Sequence, residues 1–317
     1  MYQPGYLKLL ATGELDKRID TLYRILESCE LCPRKCRKNR LRGEKGECTA
    51  GAELMVSSYH AHFGEEAPLV GRGGGLIIAD KFGLTPAGGS GTIFLTNCNL
   101  RCIYCQNYEI SHLGEGQEVS IDEVAEMMLT LQKRGCHNIN LVTPTHYAPQ
   151  LAKAIRVAAA NGLYLPIVWN CGGYENVRVI KLLAGIIDIY MPDIKYGDAG
   201  PAEKYSNAPD YFARCQEAVK EMHRQVGDLK IDQRGIAYQG LLIRHLVLPN
   251  GLAGTERVLN FIAREISSNS YVNIMGQYRP MGEAYKYQEL SRCPTRQELW
   301  EAFKMAARLG LTRLDIK

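Results

Sequence analysis

The chain has 317 residues, 46% of them hydrophobic, with 38 Lys and Arg against 34 Asp and Glu for a net charge of +4. That near-balance gives no case for nucleic acid as a partner, and no run approaches the roughly 20 apolar residues of a membrane helix. The opening Met-Tyr-Gln-Pro-Gly has no signal-peptide pattern, so eleven cysteines predict a reducing, cytoplasmic setting and metal ligation in place of disulfides.

In chain order, the first predicted element is an amphipathic helix over 14–27, where Leu15, Ile19, Leu22, Tyr23 and Leu26 recur at helical spacing. A cysteine group follows: Cys29, Cys32, Cys36 and Cys48, spaced C-x2-C-x3-C-x11-C. Four thiolates at such separations form a closed ligand set for a structural zinc or a [4Fe–4S] cluster, and spacing leaves both open. Gly43 and Gly46 let the loop fold back to bring Cys48 to the others. Residues 1–65 are expected to form this cysteine-rich metal module, and 66–317 a larger domain. Residues 60–90, with glycine-rich runs at 71–75 and 86–91, are expected to be loops leading into the barrel. These runs do not follow a strand and open a helix, as a dinucleotide-binding fingerprint must.

From residue 91 the pattern alternates. Apolar strands are predicted at 92–96, 139–142, 165–169, 186–190, 241–247 and 272–275, with helices between them. Ser120-Ile-Asp-Glu123 and Thr295-Arg-Gln-Glu298 are capping boxes that start two of these helices. Gly135 and Asn161-Gly162 are placed to end two, and Thr255 begins another. Six strands alternating with helices predict a parallel α/β sheet, two units short of an eight-unit barrel.

The first of these strands runs into Cys98-Asn-Leu-Arg-Cys102-Ile-Tyr-Cys105, a C-x3-C-x2-C loop. Three thiolates hold three irons of a cubane and leave the fourth iron open for chemistry. With its aromatic Tyr104, the loop resembles the signature of radical SAM enzymes. The resemblance implies a partial (β/α)6 barrel, a [4Fe–4S] cluster on Cys98, Cys102 and Cys105, and S-adenosylmethionine (SAM) chelated at the open iron. It also implies reductive cleavage of SAM to a 5′-deoxyadenosyl radical, and an electron donor such as flavodoxin or ferredoxin. The cysteine loop ahead of the barrel and the Val-Thr-Pro-Thr-His strand end look like one subgroup, the iron–sulfur proteins related to pyruvate formate-lyase activating enzyme.

Catalytic groups of parallel barrels gather at carboxyl ends of strands. After the second predicted strand stands Thr143-Pro-Thr-His146-Tyr147, where most radical SAM enzymes carry Gly-Gly-Glu. Backbone near Thr143 is expected to meet SAM there, with His146 and Tyr147 as candidates for the substrate side. After the third, Asn170-Cys-Gly172 resembles the Thr-Asn-Gly turn of relatives, and small residues would let backbone approach the cofactor. After the fourth, Asp193-Ile-Lys195 resembles the Asp-x-Lys of the activating enzymes. The two side chains lie on one face of an extended segment, Asp193 toward the cofactor and Lys195 toward the substrate. On the fifth, Arg244 resembles the arginine that forks onto the SAM carboxylate; a structural salt bridge inside the barrel is the plainer alternative. After the sixth, Arg279, or Gln277 in a shifted register, stands in place of the histidine of the activating enzymes' run, as the group facing adenosine, and Tyr278 is a candidate for the substrate side. The implied activity is hydrogen abstraction, with a glycine of a partner glycyl radical enzyme as one candidate substrate. Radical modification of another macromolecule or small molecule is the alternative, and a non-enzymatic iron–sulfur carrier a distant one.

Overall fold

The computed structural model describes residues 2–71, 76–80 and 83–315. Its strands are β1 Leu54–His62, β2 Leu76–Asp80, β3 Gly83–Ala87, β4 Ser90–Leu95, β5 Gln117–Val119, β6 Ile139–Val142, β7 Ile167–Cys171, β8 Ile189–Pro192, β9 Lys230–Ile231, β10 Ala237–Leu246, β11 Tyr271–Met275 and β12 Arg313–Asp315. Ten of them form one sheet in the order β12-β11-β10-β8-β7-β6-β4-β1-β5, with β9 beside β10. The neighbours from β4 through β6, β7, β8, β10 and β11 to β12 are all parallel. Every residue of β6, β7 and β8 is buried, as expected of strands covered on both faces.

Six strand–helix units are present. Helices Ile121–Lys133, Ala148–Ala160, Val177–Leu182, Tyr211–Val226, Thr255–Phe261 and Arg296–Arg308 follow β4, β6, β7, β8, β10 and β11. This is the partial (β/α)6 barrel, with β12 as a seventh parallel strand at one edge. Both predicted capping boxes form, at Ser120 with Glu123 and at Thr295 with Glu298. Gly135 takes φ 76° just past its helix, the left-handed geometry that lets a chain leave a helix sharply.

Two expectations over 60–90 change. Residues 54–62 form a strand, antiparallel to both β4 and β5. Residues 67–70 form a short helix, and β2 pairs with β3 as a hairpin where loops were predicted. The glycine run at 71–75 lies largely outside the described residues. The β1 sequence hid because only Leu54 and Val56 of it are buried, so it shows no sustained apolar alternation through Ser57, Ser58, Tyr59 and the histidines.

The predicted first helix spans Glu14–Arg24 and tightens to a 3₁₀ turn at Ile25–Ser28. Its buried Leu15, Ile19 and Leu22 belong to the same core as the barrel's Ile139, Leu151 and Trp169. The expected boundary at residue 65 thus falls just beyond a strand bonded into the barrel sheet. Among the described residues no helix is long and apolar enough to cross a membrane.

Candidate active site

β4 ends at Leu95, and the chain leaves the sheet through two non-glycine residues at positive φ, Asn97 (67°) and Arg101 (53°). Left-handed backbone is unfavourable for such residues and persists where surrounding contacts hold it. Those contacts are visible. The amide of Asn97 donates to the carbonyl of Ile110 (2.8 Å), that of Ile103 to Tyr205 (2.9 Å), and that of Glu283 to Ile103 (2.7 Å). The Asn99 side chain donates to the Tyr174 carbonyl (2.7 Å). Cys98, Cys102 and Cys105 are thereby fixed at the wall of a cavity of about 370 Å³ at the carboxyl ends of the strands. That volume falls in the range of small-molecule sites.

Opposite the thiols lies a buried ion network. Arg244 Nε donates to Asp193 Oδ1 (2.6 Å), and Lys195 Nζ to Asp193 Oδ2 (2.7 Å). Arg244 Nη2 donates to Asn170 Oδ1 (2.7 Å), while Nη1 faces Glu65 at 3.5 Å and Glu66 at 3.9 Å. Burial works against the Asp193 charge, but Arg244 and then Lys195 outweigh it and draw the carboxyl down to about 2. Lys195 is raised for the matching reason: burial opposes its charge, and Asp193 overcomes burial. Tyr211 locks the turns beneath, its hydroxyl donating to a carbonyl of Gly172 or Asp193 (2.9 and 2.8 Å) and accepting the Lys195 amide (2.9 Å).

Of the residues expected at the site, Thr143, Asn170, Gly172, Asp193, Lys195, Arg244 and Gln277 line the cavity with the three thiols. Thr143 sits at φ 61°, a strained position for a β-branched residue, with its amide bonded to the Asn170 carbonyl (2.8 Å). A Cβ at Gly172 would meet Leu100 and Lys195 only at ordinary contact distance, so the protein itself leaves room there. At Gly173 (φ 75°) it would lie 2.5 Å from the Asp193 carbonyl, so glycine is required.

Three candidates for the substrate side lie elsewhere. His146 is 1% exposed, with Nε2 2.9 Å from the Thr96 carbonyl. Burial, then the charge of Arg40, lowers it to about 3, so it stays neutral near pH 7. Tyr147 is buried beside it and accepts from Asn97 through its hydroxyl (3.3 Å). The 3₁₀ turn Thr145–Tyr147 carries both side chains under the cysteine-rich module instead of into the cavity. Tyr278 is 1% exposed, stacks edge-on against Tyr104, and donates its hydroxyl to the Leu290 carbonyl (2.8 Å). It supports the cysteine loop from below.

Glu65, Glu66, Tyr211 and Glu175 are the functional neighbours that sequence reading missed. Nothing in Gly64-Glu65-Glu66-Ala67 marks two carboxylates as buried, although an acidic pair just ahead of a Pro-containing helix start was a weak signal. Glu175 accepts from Thr145 beneath β7. Burial raises its carboxyl to about 7, opposed by the hydrogen bond from Thr145. The native state therefore binds more protons than the unfolded chain between about pH 4.5 and 7, and stability falls as pH rises through that window. Glu175→Gln is expected to flatten this fall in urea-unfolding midpoints; Asp188, raised to about 6, keeps a smaller slope of the same sign. Equal slopes in both proteins would exclude Glu175 as the source.

The thiol set fits a cubane. Burial pushes Cys98 up to about 12, opposed by the backbone amides of Arg101 and Leu100, and Cys102 and Cys105 push it further. The Leu100 amide donates to Cys98 Sγ (3.4 Å). One buried and two half-buried thiols, with backbone amides aimed at Cys98, suit a bound cationic centre that takes over the negative charge. Among the described residues no three His, Cys, Asp or Glu side chains converge on a single ion. A cubane spreads its thiolates over separate irons, so wider spacing suits it.

The chain is 29% identical to uncharacterized protein MJ0674 of Methanocaldococcus jannaschii, over 96% of this chain and 82% of that protein. It is 25% identical to uncharacterized protein MJ0808 of the same organism, over 53% and 49%. The structure aligns with a radical SAM methyltransferase from Sphaerobacter thermophilus at a TM-score of 0.48 and 12% identity, over 77% of this chain and 76% of that one. The family model of the radical SAM superfamily matches residues 92–232, from the strand that feeds the cysteine loop to the turn before β10. Residues 92–232, with the three-cysteine loop at the mouth of the partial (β/α)6 barrel, match the radical SAM superfamily.

Proposed function

We propose that this protein is an enzyme that abstracts a hydrogen atom from its substrate, and that the substrate is a glycine in a partner protein, as for the activating enzymes it resembles. The observation that carries the reading is one cavity shared by Cys98, Cys102 and Cys105 with Asn170, Asp193, Lys195 and Arg244. A bound [4Fe–4S] cluster and SAM supply an organic radical by one-electron cleavage of the sulfonium. Three cysteines hold the cluster and leave one iron for SAM. Arg244, Asp193 and Asn170 form a rigid polar wall for the methionyl group of SAM, because each is already fixed by the others. Backbone at Thr143 and Gly172 offers the remaining polar contacts. Lys195 faces the substrate side, and flavodoxin or ferredoxin supplies the electron. We also read the four N-terminal cysteines as a second metal site.

The second reading, modification of a different macromolecule or a small molecule, draws on Thr143-Pro-Thr-His146, which departs from the Gly-Gly-Glu of most relatives. The test is anaerobic reconstitution, reduction with dithionite, addition of SAM, and quantification of 5′-deoxyadenosine by mass spectrometry. Product supports the enzyme reading. Its absence, with SAM unbound in equilibrium dialysis, would leave an iron–sulfur carrier. Deuterium transferred from a labelled glycine of a co-expressed partner to 5′-deoxyadenosine would separate the activase reading from the others.

A further inference from the structure

From the burial, charge and backbone of the segment 29–51, we infer that Cys29, Cys32, Cys36 and Cys48 hold a dianionic four-thiolate metal centre, that Arg40 is its buried counter-cation, and that this centre fixes the radical loop in place. Cys29, Cys32 and Cys48 are 5%, 7% and 6% exposed, and Cys36 is partly buried. Gly46 lies so close to Cys36 that a Cβ there would stand 2.3 Å from its Sγ, so the loop after Cys36 folds back onto the thiol. Three non-glycine residues beside these cysteines take positive φ: Lys35 (44°) and Arg37 (55°) flank Cys36, and Thr49 (59°) follows Cys48. Such strain persists only where something over-determines the backbone. Between the 3₁₀ turn at Ile25–Ser28 and β1, the only regular structure is the 3₁₀ turn Arg40–Arg42. A stretch of this length without secondary structure, mostly exposed yet with Cys29, Cys32, Arg40 and Cys48 buried within it, needs another source of order.

The charge balance is the second, independent observation. Arg40 is 1% exposed. Nε donates to the Gly51 carbonyl (3.0 Å), Nη2 to the same oxygen, and Nη1 to the His146 carbonyl (2.5 Å). Its guanidinium also stands 5.8 Å from the Tyr147 ring centre. Carbonyls and a ring satisfy donors but supply no negative charge, and none of the ion pairs among the described residues gives Arg40 a carboxylate. Burying an uncompensated cation is costly. The anion-forming groups that the Arg40 charge acts on are the thiols of Cys29 and Cys48. Four thiolates around Zn²⁺ or around a [4Fe–4S]²⁺ core both carry a net charge of −2, and since no three side chains among the described residues converge on one ion, the spacing favours the cluster. Either centre completes the balance that the protein atoms leave open.

The centre is joined to the radical site by side chains. Arg34, between Cys32 and Cys36, donates to the carbonyls of Asn99 (3.1 Å) and Leu100 (3.2 Å) in the cluster loop and of Ser206 (2.6 Å). Thr49, next to Cys48, donates to Asn97 Oδ1 (2.7 Å), just ahead of Cys98. Loss of the centre is thus expected to loosen the loop that carries Cys98 and Cys102.

The test removes the radical cluster and leaves the proposed site whole. A Cys98→Ala/Cys102→Ala/Cys105→Ala variant, purified anaerobically, is assayed for iron and zinc by mass spectrometry and for cluster absorbance and EPR after reduction. Retention of about four iron per chain with a cluster signal identifies a [4Fe–4S] centre, and about one zinc identifies a zinc centre. A folded, metal-free variant overturns the proposal. In the same background Arg40→Gln is expected to release the metal to a chelator at least about tenfold faster, a difference of about 1.4 kcal/mol if equilibrium retention changes equally. Unchanged release would overturn the counter-ion role. These readouts do not depend on SAM cleavage, so their failure is distinct from failure of the enzyme reading.

Discussion

Replacing Cys98 with alanine is expected to abolish 5′-deoxyadenosine formation while leaving the fold in place. The side chain sits at the end of β4 on a loop held by backbone bonds from Asn97, Ile103 and Glu283. Those bonds do not pass through the thiol, so the loop keeps its course when one sulfur is lost. The cluster does not keep its ligands: with two thiolates left, the cubane loses a corner, and iron content should fall by about four per chain. The paired measurement is 5′-deoxyadenosine by mass spectrometry beside iron analysis and circular dichroism. Retained turnover in a folded Cys98→Ala protein would refute the assignment of the cluster to this loop.

The second large effect is expected at Asp193. Its carboxylate joins Lys195 and Arg244 across the ends of two strands, 13% exposed in its side chain against 19% and 16%. Removing one partner of a buried ion pair leaves uncompensated charge, typically at about 3–5 kcal/mol. Glu65 and Glu66 lie near Arg244 and temper the loss on that side, so Lys195 is the group left most exposed to the deficit. Asp193→Ala should therefore lower the urea midpoint sharply and weaken SAM binding. Adding Lys195→Met should restore part of the stability, since the unpaired ammonium is gone, but not the binding. Strictly additive losses in that double-mutant cycle would show that the two groups are not coupled. The pH sign follows from the lowered carboxyl. This contribution is present above the ordinary aspartate range near 3.9 and is lost as pH falls toward about 2.

Several strand ends were legible because local chemistry constrains them. The run Ile139–Val142 is apolar throughout, as a strand covered on both faces must be, and its predicted and observed limits agree. Ser120 and Thr295 announce helix starts because a hydroxyl and a glutamate three residues on satisfy each other's free donors. The Asp193-x-Lys195 pair was readable as two groups on one side of the chain, and the structure joins them directly.

Other features were hidden for equally physical reasons. β12 has three residues, too few for a periodic signal, and exists because β11 offers it an edge. His146 and Tyr278 have site-like chemistry and site-like positions in the chain. One turn and one loop, however, carry them to carbonyl partners at Thr96 and Leu290. From sequence the fork of Arg244 was open to a ligand or to a salt bridge inside the barrel; in the structure Asp193, Asn170 and Glu65 already surround it.

The sequence by itself determined the things that depend on spacing along the chain. These are the three-thiol loop, the four-thiol loop, the alternation of strand and helix, and the polar residues at strand ends. Only the tertiary structure decided which of those polar residues share a cavity, that Glu65 and Glu66 join them from a distant segment, and that a buried Arg40 stands beside the N-terminal thiols without a carboxylate. Burial and ion pairing arise between segments far apart in sequence, from Glu65 to Arg244 and from Arg40 to His146. No local pattern records them, because each is set by where the packed sheet brings its ends together.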